Sequence, residues 1–124
     1  MIRTRDAEEV DRWVRRDFPG AQSFADTLAD ELNVCLVEGE GGAIFLWRGP
    51  GVYEAHCFFE QRGREVLNLS HRMLDYMRRE HGARLFWTAV PDNRKAKIYL
   101  RHLGWKAAGF ADLPLGHCQL FIGE

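Results

Sequence analysis

One stretch of the sequence, residues 52–90, predicts the centre of the fold. It opens with Val52-Tyr53-Glu54-Ala55-His56-Cys57-Phe58-Phe59, whose β-branched and aromatic residues are typical of a strand. The turn Gln61-Arg62-Gly63-Arg64 follows, and then a helix that should end at His81-Gly82, because glycine accepts the left-handed conformation that ends helices. The stretch closes with Leu85-Phe86-Trp87-Thr88-Ala89-Val90, an apolar run that predicts a strand buried on both faces. Two strands joined by a helix predict a parallel βαβ unit with a right-handed crossover.

Two amphipathic helices are expected before this unit. Asp6 is the expected N-cap of the first, with Glu9 three residues later, and Phe18-Pro19-Gly20 ends it. Ser23 is the expected cap of the second. The apolar face of this second helix carries Phe24, Leu28 and Leu32. Because both helices are amphipathic, each must pack on another element.

Apolar positions in the two later helices also recur at helical spacing. The helix after the turn has the stripe Val66, Leu67, Ser70, Met73, Leu74 and Met77. Asp92 or Asn93 can cap a further helix, and Gly104 ends it. The stripe of this further helix is Ala96, Tyr99, Leu100 and Leu103.

The remaining strands complete an α/β fold. Val34–Val37 and Ala43–Arg48 precede the central unit with short turns, which predicts an antiparallel meander. Lys106–Asp112 and His117–Ile122 are the last two expected strands. The order α, α, β, β, β, α, β, α, β, β predicts a mixed, mainly antiparallel twisted sheet of about five to seven strands, with helices on both faces. Residues 1–124 are expected to form a single domain.

Composition excludes several classes of protein. The net charge of −1, from 17 basic and 18 acidic residues, argues against a general nucleic-acid binder. No apolar run approaches the length of a membrane span, and the charged start of the chain does not read as a signal peptide. Cys35, Cys57 and Cys118 lack close spacing, which indicates reduced thiols and a cytoplasmic protein.

The turn Gln61-Arg62-Gly63-Arg64 has the chemistry of an anion site. The N–H groups at the start of a helix point outward unpaired, and the helix dipole adds a partial positive charge. Arg62 and Arg64 add two donors suited to phosphate. A solvated loop is the other interpretation of this turn, and the turn alone does not decide between them.

The sequence from Asn93 to Trp105 resembles a known signature. It reads Asn93-Arg94-Lys95-Ala96-Lys97-Ile98-Tyr99-Leu100-Arg101-His102-Leu103-Gly104-Trp105, which is similar to the Asn-x-x-Ala … Leu-Gly-Phe pattern of the GNAT acetyltransferase superfamily. The turn at Gln61–Arg64 stands where that family has its pyrophosphate loop. The compact chain also resembles the short phage-type members.

The resemblance implies a site for acetyl-CoA between the two strands of the central unit, which would splay apart. It places the pantetheine arm along the backbone of Phe58 and Phe59, and the pyrophosphate on the loop at Gln61 and Arg62. The cradle itself would be the N–H groups of Gly63, Arg64, Glu65 and Val66. Asn93 would lie beside the arm, and the helix that carries Ala96 would lie beside the thioester.

Two features depart from the family's pattern. Glu65 and Leu67 occupy positions where the family has small residues, although Glu65 can instead face solvent and favour the helix dipole. Many members have a tyrosine seven residues after the asparagine as the acid for the leaving thiolate, and here that position is Leu100. Tyr99 lies about 100° away around the helix, which favours packing over acid catalysis.

Candidate bases lie on the first central strand. Glu54 and His56 alternate on one face, with Tyr53, Ala55 and Cys57 on the other. Either Glu54 or His56 could accept the proton of an amine, and each could equally be a structural residue. No metal site is expected, because the neighbours in His56-Cys57 and in His117-Cys118 face opposite ways on a strand.

Two functions follow from the residues and the resemblance. The first is an acyl-CoA-dependent N-acyltransferase that acetylates a small-molecule or protein amine, with no nucleic-acid or membrane partner and with a homodimer as a possible assembly. The alternative is a catalytically inactive GNAT-fold protein with a CoA-binding, structural or phage assembly role. Acceptor specificity is expected in residues 7–32 and 114–117, where no motif identifies the acceptor.

Overall fold

The computed structural model describes residues 1–39, 41–59, 63–114 and 116–124. They form a seven-stranded sheet and four helices. In chain order the elements are β1 (Ile2–Thr4), α1 (Ala7–Asp17), α2 (Ala25–Ala29), β2 (Val34–Glu38), β3 (Gly41–Gly49), β4 (Val52–Phe58), α3 (Arg64–His81), β5 (Leu85–Val90), α4 (Arg94–His102), β6 (Lys106–Leu113) and β7 (Gly116–Gly123).

The sheet has the strand order β1-β2-β3-β4-β5-β7-β6. Only the β4–β5 pair is parallel among the described strands, and the other pairs are antiparallel. The mixed α/β architecture, the β2–β3–β4 meander and the parallel βαβ unit are therefore confirmed. Strand β1 was not expected, and it pairs with β2 through Ile2↔Val37 and Thr4↔Cys35. Its three residues are too few to show the alternation that identifies a strand.

Helix boundaries follow the capping signals where those signals are strong. The Asp6 carboxylate accepts from the backbone N–H groups of Glu8 and Glu9 at 3.1 and 3.3 Å, as an N-cap does. Helix α3 ends at Gly82, whose φ of 64° is the left-handed conformation expected there. Helix α2 is shorter than expected, and Leu32 lies beyond it and is half exposed rather than on its apolar face.

Two clusters of buried side chains show that helices cover both faces of the sheet. On the α3–α4 face, side chains of α3 and α4 pack against strands β2 to β5 and β7. On the α1–α2 face, Val10 of α1 and Leu28 of α2 pack against β2, β3 and β4. Ser70 of the α3 stripe is buried with its apolar neighbours, and Leu69 is a buried member that the sequence analysis missed.

Strand β5 corrects one expectation. Phe86, Thr88 and Val90 are buried, whereas Leu85, Trp87 and Ala89 on the α1–α2 face are only partly buried. The strand is therefore not buried on both faces. The reason is that the cluster beneath α1 and α2 draws on β2, β3 and β4, and so the cover that these helices provide ends at β4.

Candidate functional site

A gap opens in the sheet between β4 and β5. The two strands pair over only three positions, Val52↔Leu85, Tyr53↔Phe86 and Glu54↔Trp87. Beyond these, β4 continues to Phe58 against β3, and β5 continues to Val90 against β7. The splay that the resemblance implied is therefore present, and it starts immediately after Glu54.

The N-terminus of α3 follows β4, and so it lies at the wide end of this gap. Its N-cap is Gly63, which has φ 59° and carries no side chain that could accept from the first N–H groups. Within the described residues, the first hydrogen bond of this helix runs from the N–H of Leu67 to the carbonyl of Gly63 at 3.4 Å. Among the described residues, no side chain caps the N–H groups of this first turn, whereas those of α1 are capped by Asp6.

The predicted cradle residues fall partly within this helix start. Gln61 and Arg62 lie outside the described residues. Arg64 and Glu65 are exposed in the first turn, and Val66 is half-buried. Since Glu65 faces solvent, its carboxylate can favour the helix dipole without occupying the position of an anion.

Helix α4 begins at the same end of the gap, because it follows β5. Its N-cap is Asn93, whose side-chain oxygen accepts from the N–H of Ala96 at 3.1 Å. This settles which of Asp92 and Asn93 caps the helix. It also commits that oxygen of Asn93 to the helix, so the donors of its amide NH₂ are what the Asn93 side chain can offer to a ligand.

The side chains of Tyr99 and Leu100 point where the helical phase predicted. Leu100 is 6% exposed and belongs to the core, so it offers no proton. The hydroxyl of Tyr99 is hydrogen-bonded to Ser70 of α3. Ser70 donates its own proton to the carbonyl of Val66 at 2.7 Å, and so Tyr99 must be the donor in the bond that they share. Burial, and next the nearby Cys57, raise the pKa of Tyr99.

Replacing Tyr99 with phenylalanine is therefore expected to affect stability more than chemistry. The loss of one partly buried hydrogen bond between α3 and α4 should lower the free energy of unfolding by about 1 kcal/mol. Turnover should remain close to that of the wild type, because the proton of Tyr99 is committed to Ser70. Denaturant unfolding and steady-state kinetics measure the two effects. A large loss of turnover with unchanged stability would contradict this assignment.

Cys57 lies on the same face of β4 as this hydroxyl pair. Solvent reaches its side chain, yet the surrounding protein raises the pKa of the thiol to about 11. A thiol with this pKa is protonated at neutral pH, and so Cys57 is a poor nucleophile.

The two candidate bases are brought together on the opposite face. The ring nitrogen Nε2 of His56 is hydrogen-bonded to Oε2 of Glu54. Because an ionised carboxylate only accepts, Nε2 carries the proton, and the unprotonated nitrogen of neutral His56 is Nδ1. Glu54 is the last residue of β4 that pairs with β5, and so this His56–Glu54 pair lies at the closed end of the gap.

Arg48 completes this group and was not foreseen. The register between β3 and β4 shifts between Trp47 and Gly49, so that Arg48 is the extra residue of a bulge. Its Nε and Nη2 atoms lie 3.1 and 3.0 Å from Oε1 of Glu54. Both carboxylate oxygens of Glu54 are thus engaged. The hydrogen bond from His56 and the contacts with Arg48 lower the pKa of Glu54 against the opposing effect of burial.

These contacts give the two candidate bases different surroundings. Glu54 is ionised, 15% exposed and held on both oxygens, which makes it a weak proton acceptor. His56 is 44% exposed and has one ring nitrogen that Glu54 does not engage. No alternation or spacing in the sequence could have found Arg48, because its position depends on a bulge.

Two features are absent from the described part of the chain. In residues 1–39, 41–59, 63–114 and 116–124, no three His, Cys, Asp or Glu side chains are grouped so that they could hold a metal ion. Among the helices of those same residues, none is both long enough and apolar enough to cross a membrane.

Among the solved structures with a similar fold are three acetyltransferases. An aminoglycoside 6'-N-acetyltransferase complexed with coenzyme A is 13% identical, with a TM-score of 0.71 over 99% of this chain and 96% of that chain. A spermidine N-acetyltransferase chimera from Vibrio cholerae and hSSAT is 11% identical, with a TM-score of 0.71 over 97% and 93%.

A third structure is matched over a shorter part. The ribosomal-protein-S5-alanine acetyltransferase from Vibrio fischeri is 18% identical, with a TM-score of 0.58 over 67% of this chain and 52% of that chain. This chain therefore spans about half of that protein.

No family model and no curated sequence matches the chain. The structural matches, the splayed central strands and the two helix starts at the gap together show that the chain has the GNAT-like α/β fold.

Proposed function

We propose that this protein is an acyl-CoA-dependent N-acetyltransferase, in which an amine attacks the acyl thioester within a ternary complex. The observation that carries the proposal is the three-residue pairing of β4 with β5, which opens a gap directly beside the His56–Glu54 pair. A thioester bound in the gap and an amine at His56 would then meet at one point. Holding two reactants in this way supplies much of the rate of such a transfer.

The residues around the gap fit acetyl-CoA. The N–H groups at the start of α3 suit its pyrophosphate, because Gly63 leaves them without a capping side chain. We propose that Gln61, Arg62 and Arg64 add donors there. We propose that the β4 backbone at Phe58, continuing to Phe59, pairs with the pantetheine arm, and that Asn93 and the α4 turn with Ala96, which lie at the same end of the gap, flank the arm.

The chain's own residues account for the proton movement. Acetyl-CoA supplies an activated acyl group. His56 accepts the proton of the amine at Nδ1, since its Nε2–H is held by Glu54. Glu54 stabilises the imidazolium that forms, and Arg48 keeps Glu54 ionised and in place. Tyr99 is not part of this route, and the leaving thiolate takes its proton from water.

The second candidate is a catalytically inactive protein of the same fold. Its role would be CoA binding, a structural role or phage assembly. The buried Leu100 favours it, because no side chain at that position can act as an acid. Cofactor binding is common to both candidates, and only turnover separates them. A thermal-shift titration with acetyl-CoA, followed by a thiol-release assay with an amine panel, therefore tests the two steps in turn. Acetyl-CoA at 100 times its Kd should stabilise the fold by about 2.7 kcal/mol.

Replacing Arg64 with proline tests the proposed cradle directly. Arg64 is the first residue of α3, where proline is tolerated but removes the backbone N–H. Arg64→Ala removes the same side chain and keeps the N–H, which makes it the matched control. Arg64→Pro should bind acetyl-CoA about 10-fold more weakly than Arg64→Ala, since a hydrogen bond to a charged group contributes roughly 1.5–3 kcal/mol. Equal affinities in a calorimetric titration would exclude this N–H as a ligand of the pyrophosphate.

The proposal also covers the acceptor, the cellular location and the oligomeric state. The acceptor is a small-molecule or protein amine. All three cysteines are free thiols, which supports the proposed cytoplasmic location. A homodimer stays a proposal that sedimentation equilibrium can test.

A further inference from the structure

We propose that an apolar groove beside His56 binds the acceptor, and that the acceptor is a small primary amine with an apolar alkyl or aryl body. This inference rests on the proposed function, because it concerns the second substrate of the same reaction. It places the acceptor on the open face of the sheet, rather than only in the N-terminal helices and the last loop.

The groove lies on the face of β5 that no cluster of the described residues covers. Its volume is about 310 Å³, near the lower end of the range for small-molecule sites. The side chains that line it come from β5, β6 and β7, and all are apolar. They are Leu85, Trp87, Ala108, Leu120 and Ile122. Four of these five are only partly buried and Ala108 is exposed, so they can still bury apolar surface of a ligand.

Sheet register connects the groove to the proposed base. Trp87 pairs with Glu54 across the last ladder position before the gap, and paired residues share a face of the sheet. His56 and Ala89 each lie two residues further along their strands, so they face one another across the gap. Ala89 is small and lies between His56 and Leu120, which pairs with Ala89 and lines the groove.

Charge excludes a polycation as the preferred acceptor. No lining residue of the groove carries a carboxylate. Glu54, the acid next to the groove, already has an ion pair with Arg48 and a hydrogen bond from His56. Lys106 pairs with Ile122 and shares its face, so it puts a positive charge at the far end. Two of the similar structures are a spermidine acetyltransferase and an aminoglycoside acetyltransferase. Spermidine and aminoglycosides carry several positive charges, and the residues that line this groove offer them no carboxylate.

An acceptor panel tests the preference. With the purified protein and saturating acetyl-CoA, 2-phenylethylamine should show a kcat/KM at least about tenfold above that of spermidine or kanamycin, which is the scale of discrimination that one or two apolar contacts provide. A preference for spermidine or kanamycin would overturn the inference and leave the proposed transferase standing. If no amine in the panel stimulates thiol release, the proposed function fails, and the binding measurement below still decides whether the groove is an amine site.

Two alanines on β6 provide a matched pair of variants. Ala108 lines the groove, whereas Ala107 pairs with Phe121 and faces the other side of the sheet. Both are exposed, so tryptophan at either position leaves the core intact. Calorimetric titration of 2-phenylethylamine into the protein with CoA should show Kd raised about tenfold or more by Ala108→Trp and unchanged by Ala107→Trp. Equal effects of the two variants, or no binding to the wild type at millimolar amine, would overturn the inference.

A second copy of the chain is the competing occupant of this apolar face. Sedimentation equilibrium at the assay concentration distinguishes the two cases. The inference expects the same mass for the wild type and for Ala108→Trp. A dimer that Ala108→Trp dissociates, while Ala107→Trp does not, would show that the groove is an interface between copies and would refute the acceptor site.

Discussion

Replacing His56 with alanine is expected to lower kcat for amine acetylation about 100- to 1000-fold, which is the lower part of the usual contribution of a positioned proton acceptor. The physical reason is the arrangement at the closed end of the gap, where Glu54 holds Nε2 of His56 and leaves Nδ1 to accept a proton. Affinity for acetyl-CoA should be nearly unchanged. Its proposed cradle is the backbone of the α3 start, and the His56 side chain lies on the opposite face of β4 from α3. Steady-state kinetics and a cofactor titration on the same preparation measure both values.

Three further variants test whether the loss of turnover in His56→Ala comes from the loss of the proton acceptor. His71→Ala removes an exposed histidine from the outer side of α3 and should leave kcat unaltered. Glu54→Gln keeps the shape of the side chain but removes the charge that stabilises the imidazolium, so its loss should be smaller than that of His56→Ala. Arg48→Met should fall between the wild type and Glu54→Gln, since Arg48 acts only through Glu54. A larger loss in Glu54→Gln than in His56→Ala would show that Glu54 itself accepts the proton.

The sequence was sufficient to predict the central βαβ unit, because residues at each boundary of its strands and helix determine where that element begins or ends. The predicted strand Leu85–Val90 has the observed bounds, and α3 ends at the glycine that was expected to end it. Alternation along β4 correctly placed Glu54 and His56 on one face. The expected apolar stripe of α4 correctly included Leu100, which lies in the core, and Tyr99, which packs against the core.

Features that depend on contacts between distant elements could not be predicted in the same way. Arg48 reaches Glu54 only because a bulge shifts the register of β3 against β4. Ser70 was visible as a polar residue in an apolar stripe, but its partner Tyr99 lies 29 residues away. The apolar run of β5 was interpreted as buried on both faces, and hydrophobicity alone cannot say that α1 and α2 stop short of it. That difference is what exposes the proposed acceptor groove.

Phe86→Ala is expected to have the largest effect on stability, lowering the free energy of unfolding by about 3–5 kcal/mol. Phe86 is fully buried, and its ring lies 5.7 Å from that of Phe45 and 6.2 Å from that of Trp105, measured between centroids. Trp105 cannot easily move to fill the cavity. Its indole packs so closely on Gly123 that a Cβ there would lie 2.2 Å from its Nε1 atom.

The matched control for this variant is Phe110→Ala, the same substitution at a side chain that is 63% exposed on β6. Its effect should stay within about 0.5 kcal/mol, as for most surface positions. Urea unfolding of both variants gives the comparison, and equal losses would show that Phe86 does not anchor the core. Phe86 also pairs with Tyr53 in the middle of the three positions that join β4 to β5. Its removal should therefore loosen the closed end of the gap, so that Phe86→Ala loses turnover even at temperatures where it remains folded, whereas Phe110→Ala does not.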